Sequence, residues 1–166
     1  MRSISLQRRI YLNCHRIQSY IRPVKTRLGG FAVAELNPSQ YAATVHVTDE
    51  DVGQVMKEIG FTWNPVSALK VLKDTGAVEI GSWAYWPQGL RTSPYQYHVH
   101  AFSNQDLPRY VDLYVHHEFN WFRHPLRHLR VEHLEFPAEW LLERLDEAQV
   151  PFFRREDIFG PISELE

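Results

Sequence analysis

The apolar residues of this chain change their period several times, and each change predicts an element. Leu6, Ile10, Cys14, Ile17 and Ile21 recur at helical spacing with arginines on the other side, which predicts an amphipathic helix ending before Pro23. Phe31–Leu36 and Tyr41–Val47 read as a short β-pair around the Asn37-Pro38-Ser39 turn, with Ala43, Val45 and Val47 on one face. Thr48 then offers a helix cap, and Asp49, Glu50 and Asp51 follow where the helix dipole favours negative charge. Val52, Val55, Met56 and Ile59 form a single apolar stripe that Gly60 stops. Phe61–Trp63 reads as a turn. Asn64 is placed to cap a second helix, Pro65 suits its first position, Val66, Leu69 and Leu72 face inward, and Gly76 ends it.

After Gly76 the period falls to two. Ala77–Trp86 predicts a strand with Trp83 and Tyr85 on one face and Val78, Ile80 and Ala84 on the other. Pro87–Pro94 is a loop. Tyr95–Phe102 and Tyr110–Trp121 predict two more strands around Ser103–Arg109, a segment of turn formers. Pro125 marks a corner, Pro137–Ala148 predicts a helix with the stripe Trp140, Leu141 and Leu145, and Phe152, Phe153, Ile158 and Phe159 give the last segment something to dock with. The expected fold class is α+β. It consists of a helix pair plus an antiparallel β-sheet with a C-terminal covering helix at residues 137–148. One domain over residues 31–166 follows a basic helical arm at residues 1–30.

Composition narrows the function classes. Apolar residues at 44% and charged residues at 23% describe a folded chain, and 166 residues suffice for one core. Cys14 is the only cysteine, so no intrachain disulfide or multi-cysteine zinc site can form, and a reducing compartment, the cytoplasm, is expected. No run of about 18 apolar residues occurs, so no membrane partner is expected. The net charge of −2 is uneven. Seven bases and no acid fall in residues 1–30, whereas residues 138–166 carry eight acids against three arginines. These two ends could pair within the fold or across a homodimer. The arm could instead lie along a phosphate backbone, or serve as a mitochondrial transit peptide, whose amphipathic, acid-free composition it shares.

The stretch TDEDVGQVMKEIGFTWNPVSALKVLKDTGAVE, residues 48–79, resembles the winged helix-turn-helix family, and the match is best at PVSALKVLKDTGAVE. The resemblance implies a winged-helix-like part over residues 41–102, with a recognition helix in the major groove of double-stranded DNA. Mapped onto this chain, Asn64, Ser67, Lys70 and Lys73 would contact bases and phosphates, with Arg91 at the tip of the wing. The implied function is non-enzymatic DNA binding in transcription regulation. Between Tyr41 and Phe102 six acids face four bases, so phosphate neutralisation would need the N-terminal arm.

The hairpin over residues 95–121 points elsewhere. Alternation puts His98 and His100 on one face of its first strand, and Asp112, Tyr114, His116, Glu118 and Asn120 on one face of its second. The opposite faces are apolar, and burial requires them to align, so the polar faces align too. His98, His100 and His116 would then hold a divalent metal, zinc or manganese, with Asp112 or Glu118 as ligand or general base. That expectation is a metal-dependent hydrolase, possible substrates including phosphodiesters. His98-Val99-His100 is also similar to the His-hydrophobe-His motif of the HUH endonucleases, but the Tyr-x-x-x-Lys nucleophile pattern of their replication-initiator branch occurs nowhere in the chain. His124, His128 and His133 with Arg123, Arg127 and Arg130 suggest an exposed, anion-binding basic segment. A third expectation is an interaction adaptor with neither activity.

Overall fold

A computed structural model describes residues 35–36, 38–64, 71–72, 79–104, 106–107, 109–129, 138–154 and 157. Its frame is a six-stranded, wholly antiparallel sheet. In chain order the strands of this sheet, and the short strands outside it, are β1 (Glu35–Leu36), β2 (Tyr41–Val45), β3 (Thr62–Trp63), β4 (Val71–Leu72), β5 (Glu79–Tyr85), β6 (Tyr95–Ser103), β7 (Val111–Phe119) and β8 (Phe152–Arg154). The sheet order is β3-β5-β6-β7-β2-β8, and β1 and β4 form a separate parallel pair. Among the described residues three short helices accompany them: α1 (Val52–Glu58), α2 (Pro125–Leu129) and α3 (Ala138–Glu147).

The two faces of the sheet have different chemistry because each strand alternates. Ala43 and Val45 of β2, Trp83 of β5, Val99 and Ala101 of β6, and Val111, Leu113 and Val115 of β7 join one apolar cluster. Val52 and Met56 of α1 and Leu141, Leu142 and Leu145 of α3 pack into the same cluster, so both helices lie on that face. An aromatic group extends it: Trp140 stacks on Tyr97 with centroids 4.5 Å apart, and the Arg144 guanidinium lies over both Trp140 and Tyr85. Burying five leucine- and methionine-sized side chains from these helices is worth roughly 1.5–3 kcal/mol each. The opposite face carries Ser82, His98, His100, His116 and Glu118 beside a second cluster of Leu36, Tyr41, Phe102 and Tyr114.

Several expectations are corrected here. The winged-helix-like helix pair with a covering helix is replaced by a mostly antiparallel six-strand architecture. The first helix forms, and Gly60, at φ +91°, turns the chain at its end. The chain then enters the sheet: Thr62 and Trp63 pair with Ala84 and Trp83 of β5, and the Asn64 N–H continues the ladder to the Ser82 carbonyl. Val71–Leu72, expected inside the second helix, is extended and pairs with Glu35–Leu36. β-branched and aromatic residues suit such pairing, which satisfies backbone groups that a helix would otherwise have to satisfy. The strands expected to form a wing, residues 77–86 and 95–102, pair as β5 and β6 with Arg91 in the connection between them, but β6 also pairs with β7 and sits inside the sheet. β1 and β2 do not pair with each other; a 3-10 turn at Pro38–Gln40 separates them. The arm at residues 1–30 lies outside the described residues. Among the described residues no helix is long and apolar enough to cross a membrane.

Candidate metal centre

Register decides which side chains meet on the polar face. In the β6–β7 pair His98 stands opposite His116, His100 opposite Tyr114, and Gln96 opposite Glu118. The apolar partners align on the other face, Val99 with Val115 and Ala101 with Leu113. His98 and His100 are therefore two residues apart on one strand, and His116 faces them from the next. Their ring centroids lie 4.2 Å (His98–His100), 5.1 Å (His98–His116) and 5.1 Å (His100–His116) apart. One nitrogen from each of the three lies within 4.8 Å of the others, and this group can hold a metal ion. All three are buried, at 1%, 0% and 4% exposure.

Two carboxylates orient the rings. Glu79 of β5 lies with Oε1 2.5 Å from His100 Nδ1, and both side chains are fully buried. Glu118 serves two histidines: Oε1 is 2.8 Å from His98 Nδ1, and Oε2 is 3.2 Å from His116 Nε2. Gln96 steadies the same carboxylate with Nε2 donating to Oε1 at 2.7 Å, and Trp86 Nε1 donates to Gln96 Oε1 at 3.0 Å. Burial acts to raise the Glu118 carboxyl, but His116 and His98 beside it prevail and hold it well below the ordinary value of 4.5. An ionised carboxylate only accepts, so each ring donates the N–H that faces it. Lone pairs then sit on His98 Nε2 and His116 Nδ1. Glu79 likewise engages Nδ1 of His100, which makes Nε2 the nitrogen that could turn to a metal. Ser82 Oγ lies 2.6 Å from His98 Nε2.

The other expected residues are placed as follows. Asp112 shares the face but stands two positions beyond Tyr114, opposite Phe102. It accepts from Thr44 Oγ1 at 2.6 Å and Asn104 Nδ2 at 3.0 Å, so it braces the turn after β6 instead of joining the histidines. Asn64, expected on an exposed helix surface, is buried. Ser67, Lys70 and Lys73 lie outside the described residues, and Arg91 is exposed in the turn before β6. His117 faces the apolar side, stacked on Tyr97 at 4.7 Å, and burial lowers its pKa against the opposing pull of Glu118. Arg123 and Arg127 are exposed, and Arg127 lies over the Phe119 ring. Glu79 and Ser82 were not expected at the site.

No protein-family model matches the chain, and no curated protein or solved structure matches it.

Proposed function

We propose that this chain is a metal-dependent enzyme that activates water at a centre formed by His98, His100 and His116. The observation that carries this reading is the convergence of three buried imidazoles, one nitrogen of each within 4.8 Å of the others, with Glu118 and Glu79 bonded to their rings. Three neutral imidazoles with an open fourth position are a donor set that catalytic zinc uses, and a metal so held brings bound water to a reactive hydroxide near neutral pH. Nitrogen donors favour zinc over manganese, which prefers oxygen ligands. A divalent cation also balances the two carboxylates brought into the interior.

Geometry supports an orienting role for Glu118, because its two oxygens engage one nitrogen each of His98 and His116. The reaction class is hydrolysis or hydration by metal-bound hydroxide. Elemental analysis of purified protein tests the reading. About one zinc per chain is expected, lost in the His98→Ala/His100→Ala variant, together with metal-dependent hydrolysis of an activated ester. Protein that neither carries nor takes up stoichiometric zinc or manganese overturns it.

A further inference from the structure

We propose that Ser82 belongs to this centre, its hydroxyl holding the oxygen, of water or of substrate, that takes the metal's fourth position. The inference rests on the metal reading above. Ser82 lies on β5 directly opposite His100, and its Oγ reaches diagonally to His98 Nε2 at 2.6 Å. Glu118 takes the Nδ1–H of His98, so Nε2 is the nitrogen that turns to the metal. The Ser82 hydroxyl thus stands beside the His98 nitrogen that would ligate the metal. Its side chain is fully buried, so it points at the centre and not at solvent.

A serine hydroxyl donates one hydrogen bond and accepts two. Were His98 to give its lone pair to a metal, the Ser82 O–H would lose that acceptor, and an oxygen in the fourth position would offer it a stronger one. A neutral serine oxygen is a poorer donor to a divalent cation than hydroxide, so the fourth position belongs to hydroxide and Ser82 fixes its direction. The attacking lone pair is then aimed without serine entering the chemistry. The near-complete burial of the three rings and Ser82, with Glu118 at 14% exposure, suits a small electrophile and not a polymer strand.

Cobalt substitution tests this with readouts other than turnover. Azide, a small anion that competes with metal-bound water, serves as the probe. In the Ser82→Ala variant cobalt is expected to bind at the same stoichiometry, with a shifted visible spectrum and azide affinity changed about 2–10-fold, the loss of one hydrogen bond. In the Ser82→Cys variant, a thiol at the same position is expected to give an intense sulfur-to-cobalt charge-transfer band. Ser82→Thr, which keeps the hydroxyl, is expected to restore the original spectrum. If cobalt binds the unmodified protein, yet Ser82→Ala leaves spectrum and azide affinity unchanged and Ser82→Cys gives no charge-transfer band, the Ser82 role fails and the metal centre stands. If the unmodified protein takes up no cobalt, both fail together.

Discussion

At the scale of single residues, the carboxylate behind a ligand is the part of the centre most open to measurement. Glu79 faces Nδ1 of His100, so it would set which nitrogen ligates a metal and how basic that nitrogen is. Glu79→Gln keeps the shape and one acceptor oxygen but removes the charge. Zinc affinity is expected to fall about 10–100-fold with the fold retained, read by competition against a chromophoric chelator. Unchanged affinity would show that Glu79 is only a packed carboxylate. The three histidines were legible in the sequence, because a strand's period of two leaves no choice of face once its apolar side is buried. Glu79 was not. Strict alternation from Trp83 and Gly81 puts it on the apolar face. A bulge between Glu79 and Gly81 adds Ile80 as an extra residue, which swings Glu79 across to the histidines. Ser82 was missed for a related reason, since nothing in the sequence states that β5 lies beside β6 in that register.

At the scale of elements, the turn around Asn120 holds the β5–β6 connection against the end of β7. Asn120 Nδ2 donates to the Leu90 carbonyl at 2.7 Å and to the Ser93 carbonyl at 2.8 Å, and its Oδ1 accepts from the Phe122 N–H at 3.0 Å. Asn120 is fully buried, so Asn120→Ala removes the donor these two carbonyls share and the acceptor of one N–H. A loss of about 1–3 kcal/mol is expected in denaturant unfolding, with Asn120→Asp also destabilising because it replaces the donor by a second acceptor. A change below about 0.5 kcal/mol would mean that water takes over the contacts. The faces of the β6–β7 hairpin were readable, since burying Val99, Ala101, Leu113 and Val115 puts the polar positions of both strands on one side, but the register itself is seen only in the structure. The segment after Gly60 was not. Its i, i+3 stripe of Val66, Leu69 and Leu72 fits a helix, and two-residue strands such as β3 and β4 are too short for any periodicity to report. The winged-helix likeness came from that same stretch, so it failed as a guide to architecture where Thr62–Trp63 and Val71–Leu72 turned out to be extended.

At the scale of the whole molecule, the centre bridges two strands in the middle of the sheet. His98 and His100 come from β6 and His116 from β7, so an ion held there would tie together the pair on which β5 and β2 are built. Unfolding separates these strands and scatters the ligands, and an ion that binds only the folded state stabilises it by mass action. At a free metal concentration 100 times the dissociation constant this amounts to about 2.7 kcal/mol. For a chain of this size each kcal/mol moves the melting midpoint about 2–4 °C, so chelation is expected to lower it by roughly 5–11 °C. The control is internal to the site. In His100→Ala the centre is already broken, so the chelator should leave its midpoint where it was, and adding zinc should not raise it. Protein whose midpoint ignores both chelator and zinc would place the three imidazoles among the packing residues of the sheet. A shift shared equally by His100→Ala would trace the effect to metal bound elsewhere. The comparison thus locates the stabilising ion in the sheet as well as detecting it, because a tie between β6 and β7 can act only while both strands supply their ligands.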